Sequence, residues 1–354
     1  MSLLKCPDKS PEKILKLFDE IYSKTRIFYL LKTAIDLNLF DYLDDFKSAD
    51  ELAALLETDI ILTDYILKIL NELNLIESKV INGKIHYRNT EITDIYFKRD
   101  SEYNLFNPIY SYFENIKNWV NLLDILKNKD KYTNTDISSF FPKIVKRMGD
   151  ECKCWELQKV LSHIAKYEEF KNAKKLLDLA GGHGLYAIGF SMLNKNLKCY
   201  VFDLPDVVEE TKKFIKKYNA KNVYTIAGDF YKDKIGKDYD IIFCSYNPGG
   251  KNPKIAKKVY DALNKGGLFI NKQFFPEKEE SINDYLDNME WNFSKPKGLE
   301  KSRMRYTFKG DLNFDDYLKY LEDLGFKILE VIDIPKLLGF ENNSPAKMII
   351  AKKI

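Results

Sequence analysis

Apolar positions in the first hundred residues recur at helical spacing. Ile14, Leu17, Phe18, Ile21 and Tyr22 form one series, and Phe28, Leu31, Ile35 and Leu39 a second. These helices carry more apolar surface than a small module buries by itself, which predicts a partner chain over them. Ser48 with Glu51 has the form of a capping box opening a helix through Leu56. Leu62, Tyr65, Ile66, Ile69, Leu70 and Leu73 then make one broad apolar stripe. In the run Lys79 to Tyr87, Asn82-Gly83 stands between two β-rich segments, a strong hairpin signal.

Helix, helix, hairpin is a winged-helix order, expected over residues 1–100. A DNA-reading role is disfavoured, because the would-be recognition helix carries Asp64 and Glu72 against the single cation Lys68, and phosphate contact needs clustered cations. Packing or dimerisation suits it better. Residues 101–165 read as a helical connector rich in rings, among them Tyr103, Phe106, Tyr110, Tyr112, Phe113 and Trp119. Most of these are expected in the core. Met148 and Trp155, just before the next domain, are better placed to cap a flat substrate.

From 166 to 354 the period alternates between two and 3.6. Strands are predicted at Leu176–Ala180, Lys198–Phe202, Val223–Ala227, Asp240–Cys244 and Gly267–Asn271, with helices such as Val207–Tyr218 and Pro253–Leu263 between them. Phe326–Ile332 and Ala346–Lys352 read as two further strands. The order predicts an α/β fold, a Rossmann-like doubly wound sheet with helices on both faces.

Composition narrows the function class. The 354 residues carry a net charge of only +3, so neither nucleic acid nor anionic membrane is indicated as a partner. No membrane-length apolar run or signal peptide is seen. Cys6, Cys152, Cys154, Cys199 and Cys244 have no disulfide-framework spacing and suit a reducing cytoplasm. With His86, His163 and His183 the only histidines, no usual zinc site assembles, and no metal is expected. His86 and His163 read as structural.

The chemistry concentrates where the strand Leu176–Ala180 runs into Gly181-Gly182-His183-Gly184 and then a helix. Glycines let backbone approach a ligand, and the helix start offers free N–H groups. Asp203, closing the next apolar run, can accept from both hydroxyls of a ribose. Gly182 to Ala187 also satisfies the dinucleotide pattern, so a nicotinamide cofactor and a dehydrogenase are one alternative. Three features favour S-adenosylmethionine. Asp178 precedes the glycines, where a carboxylate can organise the loop facing a cationic amino-acid portion. Gly228-Asp229-Phe230 follows the third strand, offering an acceptor for the adenine amino group and a ring to stack on it. No pyrophosphate-binding arginine or second glycine loop is seen.

The ordered runs Leu177 to Gly184, Phe202-Asp203-Leu204-Pro205-Asp206-Val207-Val208, Ala227-Gly228-Asp229-Phe230 and Leu263-Asn264-Lys265-Gly266-Gly267 resemble the class I methyltransferases. More narrowly the chain is similar to the small-molecule O-methyltransferase family that includes hydroxyindole, caffeate-type and polyketide-tailoring enzymes. The resemblance covers nearly the whole length and implies an N-terminal winged-helix dimerisation domain, hence a homodimer. It implies that Gly181, Gly182 and Gly184 approach the methionine part of the cofactor, that Asp203 with Leu204 meets the ribose, and that Asp229 and Phe230 meet adenine. Ser245 is placed with this cofactor set. His183 stands where the family has a glycine and either touches cofactor or points to solvent.

Methyl transfer is an in-line displacement that needs alignment, and a hydroxyl acceptor also benefits from a base. The resembled family has a histidine a few residues past the fourth strand. Here the segment Asp240 to Lys251 has none. Tyr246 is a substitute candidate, and Asn247-Pro248 partly matches an amine-binding Asn-Pro motif, so both are catalytic candidates. Phe274, Phe275, Met289, Trp291 and Phe293 can wall a pocket, and Arg303 and Arg305 can pair with an anionic substrate group. A cofactor-sensing regulator, or a scaffold that lost activity with the histidine, are the non-enzyme alternatives.

Overall fold

The computed structural model describes residues 6–128, 137–279, 281–294, 299–342 and 344–354, with 137–140 and 143 described by backbone alone. Parts of two expected segments therefore lie outside the described residues, 129–136 in the connector and 280 and 295–298 in the aromatic stretch. The chain divides into two units, Met1–Phe113 and Glu114–Ile354. The division falls inside the helix Phe106–Val120. Among the described residues, no helix is long and apolar enough to cross a membrane.

In the first unit a helix of 25 residues, Glu12–Asp36, leads to two shorter helices, Ala49–Leu56 and Ile60–Glu72. The capping box at the first short helix is formed as expected, Ser48 accepting from the Glu51 N–H while Glu51 accepts from the Ser48 N–H. Strands β1 (Lys47–Ser48), β2 (Ile76–Ile81) and β3 (Lys84–Asn89) form a small antiparallel sheet in the order β1-β3-β2. The hairpin turns through Asn82 and Gly83, both at positive φ, as a two-residue primed turn requires. Leu39, Phe40, Leu52, Leu67, Leu70 and Tyr87 are in its core. The early helix leaves Ile14, Phe18 and Ile21 more than half exposed.

The second unit is built on seven strands: β4 (Lys175–Leu179), β5 (Lys198–Asp203), β6 (Val223–Ala227), β7 (Tyr239–Ser245), β8 (Leu263–Phe274), β9 (Phe326–Asp333) and β10 (Ala346–Lys353). Their order is β6-β5-β4-β7-β8-β10-β9, the first five parallel and β10 antiparallel to both neighbours. Alternate residues go to opposite faces. Leu176, Val201, Phe243 and Ile270 pack with the helices Glu156–Ile164 and Leu185–Leu193. Leu177, Phe202, Ile242 and Phe269 pack with Pro253–Ala262 and Phe314–Leu324. Helices thus cover both faces, which is why these strands read as near-continuous apolar runs. The order reverses at β4, whose neighbours β5 and β7 leave on opposite sides. A crevice opens at such a switch point beyond the carboxyl ends of the strands.

Candidate active site

Beyond β4 the chain makes a tight turn and starts the helix Leu185–Leu193. Gly184 takes φ +68° as its cap, and a Cβ there would meet Thr211 Cγ2 at 2.8 Å. At Gly181 a Cβ would stand 2.5 Å from Asp178 Cγ. Glycine is therefore demanded at Gly181 by the carboxylate beneath it and at Gly184 by both backbone and neighbour. Asp178 is fully buried, and among the described residues its Oδ2 has no hydrogen-bond partner. Burial pushes its pKa up to about 7, while the Ala187 N–H favours the charge and the nearby Asp203 opposes it.

Asp203 ends β5. Its Oδ2 accepts from the Gly182 N–H at 2.8 Å and its Oδ1 from the Leu204 N–H at 2.7 Å. It thereby fastens the glycine turn to the next strand and also sets Leu204. Burial raises its pKa to about 6 despite those two donors. Each oxygen keeps lone-pair capacity for a further donor. Asp178, Gly181, Gly182, Gly184, Asp203 and Leu204 are thus brought together at one strand edge.

Asp229 and Phe230 follow β6. The Asp229 carboxylate accepts from the Tyr231 N–H at 2.9 Å and pairs with Lys232 at 2.9 Å. Burial works against its charge, but these partners outweigh it and hold the pKa below the ordinary value. Phe230 lies against Gly249, where a Cβ would meet its ring edge at 2.5 Å. Gly249 thus has no room for a side chain while Phe230 keeps its place.

Ser245 closes β7 opposite Lys272 of β8. Tyr246 then takes φ +48°. Its ring stacks on Phe274 at 4.4 Å, and Phe274 stacks on Tyr306 at 4.4 Å, giving three near-parallel rings. Beneath them is a buried polar group. The Lys272 ammonium, 0% exposed, bonds Glu156 and the Tyr186 hydroxyl and lies 4.3 Å from the Tyr246 ring centre. Glu156 also accepts from Tyr186 at 2.8 Å and from the Tyr246 hydroxyl at 3.3 Å.

Burial, then the Glu156 charge, push the Tyr246 pKa well above the ordinary phenol, so in the ligand-free chain its hydroxyl is protonated and donates to Glu156. Asn247 has its amide engaged by the chain itself. Its N–H2 donates to Leu179 O at 3.2 Å and Cys244 Sγ at 2.7 Å, and its Oδ1 accepts from the Gly249 N–H at 3.0 Å. It pins the loop after β7, and its Oδ1 keeps acceptor capacity for one further donor. His183 does not point to solvent. It is buried, with Nδ1 accepting from the Leu185 N–H at 3.0 Å, which puts its proton on Nε2. Desolvation, then Lys272, lowers its pKa to about 4, so the ring is neutral.

The substrate candidates scatter. Met148 is half-buried in the helix Ile137–Cys152, whose next residue, Gly149, abuts His183 and Phe214. Trp155 is 45% exposed, and its indole N–H donates to Leu338 O at 2.9 Å, so it docks on the helix Ile334–Leu338 instead of this group. Trp291 lies 5.6 Å from Tyr306 and donates to Ser302 O at 3.1 Å. Arg305 is paired with Asp287 and with the Tyr306 hydroxyl at 2.7 Å.

Sequence reasoning missed Glu156, Tyr186, Lys272 and Lys251. One signal was present: Asn271-Lys272-Gln273 interrupts an apolar strand, and all three are buried. Buried polar groups need partners, so such a run marks a network. Lys251 donates to Phe274 O at 2.9 Å and Tyr306 O at 2.8 Å, tying two of the stacked rings' backbones together.

Comparison with known proteins agrees with this geometry. The family model described as the O-methyltransferase domain matches residues 132–307, and that of the O-methyltransferase dimerisation domain matches residues 20–99. An uncharacterized protein of Methanocaldococcus jannaschii is 74% identical, covering 99% of this chain and all of its own length. An acetylserotonin O-methyltransferase of Macaca mulatta is 25% identical over 71% of this chain and 78% of that protein. The solved human N-acetylserotonin methyltransferase in complex with SAM has the same fold, with a TM-score of 0.68 at 17% identity over 100% of this chain and 99% of that one. Both parts of the architecture are matched, and the chain belongs to the S-adenosylmethionine-dependent O-methyltransferase family with an N-terminal dimerisation domain.

Proposed function

We propose that this chain methylates the hydroxyl of a small aromatic compound, with S-adenosylmethionine held at the glycine turn between β4 and β5. The carrying observation is the turn itself: Asp203 clamps Gly182 while a buried Asp178 oxygen, without a hydrogen-bond partner among the described residues, lies under Gly181. These residues fit the cofactor. Asp203 has acceptor capacity for two vicinal hydroxyls, and the residual charge of Asp178 suits a cationic amino-acid end. Asp203 would suit the ribose of either cofactor, but the Asp178 carboxylate beneath the glycine turn does not suit a pyrophosphate there, which argues against the nicotinamide alternative. When bound, the cofactor supplies a methyl group on a positively charged sulfur.

The chain's own residues do the rest. Gly181, Gly182 and Gly184 let the ligand approach the backbone. Asp229 accepts from the adenine amino group, and Phe230, set by Gly249, covers the base. Leu204 and Ser245 border the ribose and the reacting end. Tyr246, Phe274 and Tyr306 offer flat apolar surface to an aromatic acceptor, with Trp291 beside Tyr306. Orientation is the main catalytic contribution of such a wall. Acetylserotonin, for which relatives are named, is the first hydroxyaromatic to try.

Calorimetry with S-adenosylhomocysteine and with NAD tests the cofactor reading, and a gain of one methyl mass on a panel of hydroxyaromatics tests the activity. Binding of NAD in place of S-adenosylhomocysteine would refute both. The exposed apolar face of the helix Glu12–Asp36 and the matched dimerisation domain support a homodimer through the N-terminal unit. Light scattering on the purified protein should give twice the chain mass. The cysteines among the described residues are free thiols, which suits a cytoplasmic setting.

A further inference from the structure

Tyr246 stands in a backbone conformation that a bulky side chain rarely takes. Its φ of +48° lies in the left-handed region. Such outliers persist only where the surroundings over-determine them, and they cluster at active sites. Three contacts hold this one. Its N–H donates to Lys272 O at 2.8 Å, its ring stacks on Phe274, and its hydroxyl donates to Glu156 Oε2 at 3.3 Å. Register sets its place. Cys244 of β7 pairs with Leu179 of β4, so Tyr246 follows β7 at the level where Gly181 follows β4. The Asn247 amide, bonded to Leu179 O, ties the two strand ends together. The tyrosine is thus part of the aromatic wall and stands at the strand edge that carries the glycine turn.

The network below it divides the work. Lys272 bonds Glu156 and the Tyr186 hydroxyl, and Tyr186 is the second residue of the helix that the glycine turn starts. Glu156 takes Lys272 and Tyr186 on Oε1 and Tyr246 on Oε2. Its side chain is 21% exposed, against 0% for Lys272, so solvent reaches the carboxylate and not the ammonium. Burial opposes the Glu156 charge, but Lys272 and the hydrogen bonds outweigh it and keep the group ionised. A hydroxyl whose proton points at a carboxylate keeps its own lone pairs for another donor. Tyr246 is placed to receive one proton while giving another to a group in contact with water.

We propose that Tyr246 is the general base of the methyl transfer and relays the acceptor's proton to Glu156, with Lys272 and Tyr186 as positioning residues. This rests on the methyl-transfer reading above, with a hydroxyl as acceptor. As the acceptor oxygen bonds to the methyl carbon, its proton passes to Tyr246 Oη and the Tyr246 proton passes to Glu156 Oε2. The electron pair of the breaking carbon–sulfur bond stays on sulfur. The positive charge lost there reappears as the proton on Glu156, which solvent removes. Tyr246 is never a free phenolate, so its protonated resting state is the starting point of the relay. The charged and titratable groups facing Glu156 are Lys272 from β8, His183 and Tyr186 from the glycine turn and its helix, Tyr246 after β7, and Glu151 and Cys152 from the helix Ile137–Cys152.

The test uses the full chain with S-adenosylmethionine and the probes 4-nitrophenol, 4-chlorophenol and 4-methoxyphenol, which become less acidic in that order. Tyr246→Phe keeps the ring stack and removes one oxygen. It lowers kcat about a hundredfold or more with little change in KM, and the loss grows as the phenol becomes less acidic. A merely structural hydroxyl would slow every probe alike. The relay is cut equally in Glu156→Gln with Lys272→Met, which leaves no unpaired buried charge. Adding Tyr246→Phe to that pair costs less than about threefold more, because the groups act as a unit. Wild-type rates in Tyr246→Phe, an equal loss on every probe, or losses that multiply overturn the proposal. The Tyr246→Phe comparison decides by itself if the paired variant fails to fold. Failure of S-adenosylhomocysteine to bind the wild type defeats the methyl-transfer reading and this one with it. Binding without methylation of any phenol defeats the relay and leaves the cofactor assignment standing.

Discussion

Asp203→Asn separates ligand binding from fold stability. In the wild type the carboxylate holds two backbone N–H groups and carries a pKa raised from 3.8 to about 6 by burial. A rise of about two units corresponds to ~3 kcal/mol against the charged form at neutral pH. Asparagine removes that penalty. Its amide oxygen keeps one N–H partner, but its N–H2 faces the other donor, so one charge-assisted bond of about 1.5–3 kcal/mol is lost. The two effects nearly cancel, and the ligand-free variant should unfold within ~1 kcal/mol of wild type, or a few degrees. The ligand sees no such cancellation. Losing one charge-assisted bond to the ribose weakens S-adenosylhomocysteine by about 1.4 kcal/mol or more, tenfold or greater.

Calorimetry at pH 7.5 reads the affinity, and thermal unfolding without ligand reads the stability. The native carboxyl titrates above its unfolded value, so the native state binds the extra proton between about pH 4 and 6. Its contribution to stability is accordingly lost as pH rises through that window, and the variant should lack that slope. A folded Asp203→Asn protein that binds S-adenosylhomocysteine like the wild type would refute the assignment of Asp203 to the ribose.

Further outcomes follow from the same geometry. Gly181→Ala puts a Cβ 2.5 Å from Asp178 Cγ, so it should cost about 1–3 kcal/mol, measured by urea unfolding, and also weaken cofactor binding as the turn shifts. Lys272→Met leaves Glu156 buried without its cation and should destabilise by about 3–5 kcal/mol, whereas Lys272→Met with Glu156→Gln should recover most of it; a double variant no better than the single one would deny the coupling. Asp178, with its pKa at about 7, makes the ligand-free protein less stable as pH rises from about 4 to 7, and Asp178→Asn should flatten melting temperature across that range.

The departures from the resembled family are linked in space. Gly249 presses on Phe230, so an added side chain there would displace the ring proposed to cover adenine. Asn247 shapes the same loop.

Much of this protein is written locally. Period-two and period-3.6 runs, the Ser48–Glu51 cap and the Asn82-Gly83 turn act over a few residues, so their elements were readable from the chain alone, as was Asp203 at the end of β5. The parallel core could be read from buried apolar runs alternating with helices. Only the tertiary structure decided that β10 inserts antiparallel between β8 and β9, because edge order depends on pairing between distant segments. It alone joined Glu156 to Lys272 across 116 positions of sequence and closed His183 off from solvent. Charge and hydrogen bonding depend on what three-dimensional packing places within a few ångströms, and no spacing along the chain encodes that distance.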